Sequence, residues 1–414
     1  MARLALVFCF GFQALTPGPA SAQTAILTPQ TAAFPSLAEA LARAEQRAPA
    51  AIEARGEVAA ARAGKIGAEA SAFGNPYVDF QVDRGSTTKD VQALAYLYMP
   101  VDAFGQRGAR IDEADALVRW KGLSAEARRS AVRGETIARW GAARVAQERL
   151  AHAQDAVESA EKEAAYFAGR FAAKDTTIYE KSLAEAEVGR WMQARAEAEL
   201  DLLERLARLS EWIGESTIPG APSKAALGSI NAPLPPAPAR RAAEAPALVA
   251  QRAEHFFWEK QGERYRAERR APLQLLLIAG RGDPGDVRLG GGVTVTLPVA
   301  RRNQGEIARA EAEADRSAAA ETSLTASLAA RISATEQALA TVLKAIANLD
   351  SNGLPASQRA VDASLEAYRS GKMELLPVLV ARRELQLART RRLDLVERAW
   401  RSYGEWIALT GEKP

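Results

Sequence analysis

The chain has very little of what usually carries chemistry. It holds one cysteine and two histidines in 414 residues. The cysteine, Cys9, lies in a stretch that reads as a secretory signal: Arg3, an apolar run over Leu4–Phe12, then an Ala-x-Ala cleavage site at Ala20-Ser21-Ala22. Cleavage there removes residues 1–22 and every thiol, which excludes disulfides and cysteine-based metal centres. No lipobox-like Leu-x-Gly precedes Cys9, so no lipid anchor is expected. His152 and His255 fall in separate helical stretches without metal-ligand clustering, and each reads as a packed or surface helix residue. A formal net charge of +3 gives no basic field for nucleic acid. Beyond the signal, no run reaches the ~18–20 apolar residues of a membrane helix. If this chain enters a membrane, it must do so with strands. No catalytic constellation is present, so neither enzyme activity nor a cofactor is expected. Gly290-Gly291-Gly292 lies within a strand pattern, and Arg281–Asp286 reads as a hairpin turn; neither suggests a phosphate loop or an adhesion motif. The abundant helix-borne Glu/Arg pairs read as solvated faces with i,i+4 pairing.

What is present is a junction that occurs twice. Leu297-Pro298-Val299 follows a strand pattern in which Val287, Leu289, Val293, Val295 and Leu297 share one parity. After a short basic loop comes an Ala/Glu/Arg run of helix composition. Met99-Pro100-Val101 opens the same sequence of events earlier in the chain. Gly108 pairs with Gly305, 197 positions on, and the same offset relates Ala48-Pro49-Ala50 to Ala245-Pro246-Ala247, Phe171 to Tyr368, and Gly214-Glu215 to Gly411-Glu412. The chain is a tandem repeat: a signal peptide (1–22), a first repeat (23–214), a Pro-rich linker (215–239) and a second repeat (240–414).

Each repeat has one order of elements. Ser36 with Glu39 forms a capping box that opens a helix kinked at Pro49 and reaching Ala72; its counterpart spans about 240–270. Strands follow at ~77–83 and ~91–99, and at ~273–280 and ~287–297. Helical hairpins then run over ~108–213 and ~305–409. The first long helix measures roughly 95 Å, and Asn352-Gly353-Leu354-Pro355 should kink its counterpart. The series Leu328, Ile332, Thr335, Leu339, Val342, Ile346, Leu349 and the series Leu393, Val396, Trp400, Tyr403, Ile407 step by threes and fours, as coiled-coil heptads do. Strands of this length suit a bilayer. Three of the four have one clean apolar parity; Leu273–Ala279 is apolar on both. Four strands cannot close a barrel, and an open edge in lipid leaves backbone groups unsatisfied. Copies must therefore combine, with a strand total divisible by four.

The set Ser-Leu-Ala-Glu-Ala-Leu (36–41), Asn75-Pro76, Leu297-Pro298-Val299 with Arg302-Asn303-Gln304-Gly305, Tyr368-x-x-Gly371, Val380-Ala381-Arg382 and Leu409-Thr410-Gly411 resembles the TolC family of outer-membrane efflux proteins. The Pro-x-x-x-Arg-Asn-Gln-Gly run looks most like its heavy-metal (cobalt–zinc–cadmium) branch. The resemblance implies a mainly α fold with a small β part. Long coiled-coil hairpins would form a periplasmic α-barrel, and four transmembrane strands per protomer would complete a twelve-stranded barrel in a homotrimer. It implies an outer-membrane exit duct, embedded in outer-membrane lipid, working with a periplasmic adaptor (membrane fusion protein) and an inner-membrane RND transporter. Heavy-metal cations are the expected cargo, against drugs or a type I secreted protein. A soluble periplasmic coiled-coil adaptor or scaffold is the rival from another class. In the family the hairpin tips meet the adaptor; here these carry Lys174, Asp175 and Thr176, and Gly371, Lys372 and Met373. A ring of acidic residues just inside the tips gates relatives. Here Glu180 keeps the acid in the first repeat, whereas Pro377 and Val380 replace it in the second. Thr177 with Glu180 also fits a capping box.

Overall fold

The computed structural model describes residues 33–84, 91–219, 242–281, 286–300 and 302–414. The expected signal peptide, most of the Pro-rich linker (220–239) and the turn segments 85–90 and 282–285 lie outside the described residues.

Ser36 caps α1 (Leu37–Arg47): its hydroxyl accepts the Glu39 N–H at 3.2 Å, and the Glu39 carboxylate accepts the Ser36 N–H at 2.9 Å. The kinked helix expected from Ser36 to Ala72 is instead two helices, and the second ends at Ala68. Ala48 is extended (φ −58°, ψ 135°), and α2 (Pro49–Ala68) starts afresh with Pro49 at its first position. A residue before proline is pushed out of the α region, and at a helix start the missing N–H costs nothing. The second repeat obeys the same rule. Ala245 is extended (φ −57°, ψ 131°) and α5 (Pro246–Glu268) begins at Pro246, not near 240; a single 3₁₀ turn covers Ala242–Glu244.

Strands β1 (Tyr77–Arg84), β2 (Val91–Val101), β3 (Leu273–Arg281) and β4 (Val287–Val295) form one antiparallel sheet in the order β1-β2-β3-β4. Each repeat supplies a hairpin, and β2 pairs with β3 to join them, with Leu97 opposite Leu277. β1 and β4 are the edges. β4 ends at Val295, two residues short of the expected Leu297.

Helix α3 (Gln106–Ala172) runs unbroken for 67 residues, about 100 Å. It reverses into α4 (Ile178–Ile213). The second repeat interrupts the equivalent helix: α6 (Gln304–Asn348) passes through a π turn at Leu349–Gly353 into α7 (Leu354–Arg369), and α8 (Leu375–Thr410) returns. This is the kink expected at 352–355. Pro355 cannot donate to the preceding turn and its ring would crowd it, and a wider turn relieves both problems. α4 and α8 each hold 36 residues and each ends on a left-handed glycine, Gly214 (φ 68°) and Gly411 (φ 70°).

α3 is the hub, packing against α2, α4, α5 and α8. The heptad positions Leu328, Ile332, Thr335 and Leu339 are buried, as are Leu393, Val396, Tyr403 and Ile407. The α3–α8 seam is close enough that a Cβ on Gly134 would lie 2.2 Å from the Gly404 carbonyl oxygen. Beside it, Ile137, Ala399, Tyr403, Trp406 and Ile407 share one core with Leu339 of α6.

Candidate functional site

Two regions stand apart from this packed body. The first is the sheet. Register places Val78, Leu97, Leu277 and Gly291 in one row, and Phe80, Ala95, Ala279 and Leu289 in the next. Cross-strand neighbours share a face, so one side of the sheet is apolar through these rows. It is also bare: Phe80 is 75 % exposed, Leu277 57 % and Leu289 80 %. Among the described residues no strand shares a packed interface with a helix. A small sheet packed on helices would bury this face; here no described residue of the chain covers it. The opposite face mixes Asp79, Gln81 and Asp83 with a stacked pair, Tyr77 and Tyr98 (ring centroids 4.6 Å apart), and Tyr77 donates to Gln274 Oε1 at 3.2 Å. β3, apolar on both parities, thereby acquires a defined facing. Leu273, Leu275 and Leu277 lie on the bare side, and Leu276 and Ile278 sit with Tyr98 and Tyr96 on the other.

The second region is the pair of hairpin tips at the far ends of α3–α4 and α7–α8. Both tips turn through a residue of positive φ, Lys174 (63°) and Gly371 (72°), again 197 positions apart. The same two bonds close each turn: Asp175 N–H to Arg170 C=O (2.9 Å) with Lys174 N–H to Phe171 C=O (3.0 Å), and Lys372 N–H to Ala367 C=O (2.9 Å) with Gly371 N–H to Tyr368 C=O (3.0 Å). This is the Schellman arrangement. Lys174, Asp175, Gly371, Lys372 and Met373 are exposed and Thr176 is half-buried.

Beneath the tips, Phe167, Ala184, Leu375 and Leu379 make a small core against Tyr368. Arg170 ties the two repeats together, donating to the Tyr368 hydroxyl (2.8 Å) and to the Asp175 carbonyl (2.8 Å). Glu180 is half-buried beside this pair. Burial, and next the charge of Glu180, hold the Tyr368 hydroxyl above the usual tyrosine range. Only half of the expected capping box forms. Thr177 Oγ1 accepts the Glu180 N–H at 3.2 Å, but the Glu180 carboxylate accepts from Thr176 Oγ1 instead of returning to the cap. Pro377 occupies the first turn of α8, where no N–H is needed. It is exposed, as are its neighbours Leu376 (43 %) and Val380 (45 %). The structure thus puts Glu180 beside Tyr368 and Arg170, while Pro377 and Val380 stay on an open face of α8.

The reading of every Glu/Arg pair as a solvated face needs correction. Glu187 of α4 is 4 % exposed and accepts from Arg383 of α8 at 3.0 Å as well as from Arg190 at 2.9 Å. Glu163 of α3 pairs with Arg382 of α8. Glu163, Glu187, Arg382 and Arg383, with Trp191 and Tyr368, line a groove of about 590 Å³ between α3, α4, α7 and α8. Farther from the tips, Glu397 is buried and accepts from both Arg149 and Arg205 at 2.8 Å. Beside Arg149, burial raises the Glu148 carboxyl against the opposing pull of Arg392 and Arg144, and about one turn nearer the tips burial followed by Arg389 lowers the His152 imidazole. A spacing of four marks possible partners within a helix but says nothing of a partner nearly 200 positions away. Only the repeat offset, which brings α4 and α8 into equivalence, hinted at such bridges. Among the described residues no group of three or more His, Cys, Asp or Glu could hold a metal ion.

A bare apolar strand hairpin from each of two repeats, continued by coiled-coil hairpins of this length, is the fold of TolC-like outer-membrane channels. The chain superposes on CusC, which forms a transmembrane channel, with a TM-score of 0.74 at 14 % identity over 91 % of this chain and 92 % of that one. A membrane protein from Pseudomonas aeruginosa gives 0.74 at 18 % identity over 91 % of each chain. VceC, an outer-membrane protein of Vibrio cholerae, gives 0.70 at 15 % identity over 91 % of this chain and 97 % of that one. In sequence, the chain is similar to the cobalt-zinc-cadmium resistance protein CzcC of Cupriavidus metallidurans, with 24 % identity over 320 residues, or 75 % of each chain. No family model matches the chain.

Proposed function

We propose that the chain is the exit duct of a tripartite efflux pump, set in the outer membrane with its helices in the periplasm and exporting heavy-metal cations. The observation that carries this reading is the sheet: one face apolar and uncovered, and two edges, β1 and β4, without strand partners among the described residues. An uncovered apolar face suits lipid, where water no longer competes. An unpaired edge does not, because its N–H and C=O groups would go unsatisfied. Both demands are met when β1 of one copy pairs with β4 of the next. Two copies give eight strands and three give twelve, both within the range of outer-membrane barrels; the resemblance to TolC-family channels favours three. The long helices then extend the barrel as a tunnel. The exposed tips, Lys174–Thr176 and Gly371–Met373, meet the periplasmic adaptor, which joins the duct to an inner-membrane RND transporter. Glu180 contributes charge near the tunnel mouth, and Pro377 with Val380 contributes an apolar constriction. The duct performs no catalysis, and the metal is cargo throughout.

The cargo follows the similarity to the cobalt-zinc-cadmium resistance protein. Deleting the gene should lower tolerance to cobalt, zinc and cadmium while tolerance to dyes and detergents stays unchanged. The reverse pattern would reassign the duct to drugs. Unchanged tolerance to both, with loss of a secreted protein, would reassign it to secretion.

A further inference from the structure

We propose that Arg84 and Arg281 form a binding site for the phosphate groups of anionic lipids at the outer rim of the sheet, an inference that rests on the sheet spanning the outer membrane.

The two arginines are repeat equivalents, 197 positions apart, and each is followed by glycine (Arg84-Gly85 and Arg281-Gly282). Arg84 ends β1 and Arg281 ends β3. Both therefore sit at the end of the sheet away from the helices, since the helices join the opposite ends of the strands. Register fixes their face. Arg281 lies in the row Val82, Ala93, Arg281, Val287, and Arg84 lies opposite Val91, one step farther out. These are the rows of the bare apolar side. Along that side, from Val78 to Val295, every other described position is Val, Leu, Ala, Phe, Met or Gly. The acidic groups of the sheet, Asp79 and Asp83, lie on the opposite parity, and so does Arg288. The lipid-side surface thus carries two cations and no anion among its described residues, and both cations lie in its two outermost rows.

Both arginines are exposed, and neither makes an ion pair or hydrogen bond with another described residue. Most described arginines elsewhere have a carboxylate or carbonyl partner, whereas this matched pair has none among the described residues. Between them stand Val91 and Ala93 of β2, which leave a low shelf. By strand geometry, with two interstrand steps across and one two-residue step along, their backbones stand about 12 Å apart. Two arginine side chains can converge across that distance on one phosphate or hold two on one headgroup. A guanidinium fork suits phosphate oxygens, and an arginine at a bilayer rim extends its charge toward the headgroups while its stem stays on apolar surface. A turn residue kept only for solubility has no reason to lie on the lipid-facing parity twice.

Native mass spectrometry of the full mature protein, extracted from vesicles of equal phosphatidylcholine and phosphatidic acid, tests this. The wild-type ring should retain phosphatidic acid in preference to phosphatidylcholine, and added inorganic phosphate should not displace it. Arg84→Gln with Arg281→Gln should leave the ring mass unchanged and reduce that preference by about fivefold for each arginine removed. Arg84→Lys with Arg281→Lys should keep most of the preference, and it decides the matter if the glutamine variant fails to assemble: a preference at or above wild type sits with the site, and its complete loss in an intact ring does not. Equal retention of the two lipids by the wild type, an unchanged preference in the glutamine ring, or displacement by inorganic phosphate overturns the proposal. A wild type that forms no ring in vesicles overturns the duct reading instead, and the same spectrum shows it.

Discussion

The two repeats are built to one plan and spend it differently. The first has a continuous 67-residue helix; the second breaks the same helix with a π turn at Leu349–Gly353. The first turns its tip through Lys174, a residue that pays a steric cost at positive φ; the second uses Gly371, which does not. At equivalent places in the return helices, Glu187 is buried between arginines while Glu384 is exposed, and Glu180 is half-buried while Pro377 is open. The first repeat therefore supplies the straight hub against which the rest packs. The second supplies the discontinuity, next to which Arg392 of α8 donates to Asp350 at 2.6 Å. Duplication has kept the turn geometry and helix ends, where backbone hydrogen bonds leave little choice, and has let side-chain pairing diverge.

The largest effect should come from breaking the seam between repeats. Gly134→Val places side-chain atoms where the Gly404 carbonyl already stands, and no rotamer avoids that backbone. It should cost more than about 3 kcal/mol and leave little folded protein by thermal melt, whereas Gly108→Val, at an open position on the same helix, should leave stability unchanged or raise it by roughly a few tenths of a kcal/mol, since valine is a better helix former than glycine.

A second test compares the hairpins. Tyr96 and Leu97 of β2 are the repeat equivalents of Val293 and Thr294 of β4. Successive N–H groups alternate sides, so proline at both positions of a strand removes one ladder bond toward each neighbour. Among the described residues β2 has two strand neighbours and β4 has one. If copies close a ring, Val293→Pro and Thr294→Pro should each abolish membrane assembly as fully as Tyr96→Pro and Leu97→Pro. If β4 is a free edge, one of the two β4 variants should assemble normally.

The tips sharpen the comparison at smaller scale. Gly371→Ala should destabilise by about 1 kcal/mol, and Lys174→Gly should stabilise by up to a similar amount, because only the residue's tolerance of positive φ changes. Equal and negligible shifts in both would mean that the turns relax. The charge at Glu180 is tested by Glu180→Gln in planar bilayers. The reversal potential in a salt gradient should move toward less cation preference, with a melting shift of about 1 °C or less. A fixed reversal potential with a large melting loss would assign the residue to capping alone.

The smallest effect concerns pH. The folded-state pKa of Glu148 is raised by burial, so the group favours folding below the unfolded carboxyl value and disfavours it as pH rises through the folded one. Glu148→Gln should leave the melting temperature unchanged at pH 4 and raise it by about 1–2 °C at pH 7.5. Equal shifts at the two pH values would contradict the assignment.

Much of this fold is legible in the sequence because it rests on local rules. The Ser36 cap, the left-handed Gly371, the heptads and the 197-residue offset are each set by a few neighbouring residues. The breaks before Pro49 and Pro246 were legible in principle, since Ala48 and Ala245 each precede a proline; the expected element was one helix with only a kink at Pro49. The facing of β3 was not legible, because both its parities are apolar and only pairing with Tyr96 and Tyr98 separates them. The burial of Glu187 was not legible either, since its partner Arg383 lies in the other repeat. The candidate tips were found because reversals need special backbone angles. What Glu180 touches depends on Arg170 and Tyr368, which only folding brings beside it.

The central claim is that four strands per chain become a membrane barrel by joining copies. The most direct measurement is the mass of the mature protein extracted from the cell envelope, determined together with the fraction it came from. The account predicts a complex of three chains recovered with the outer membrane. A monomer recovered in the soluble periplasmic fraction would contradict it.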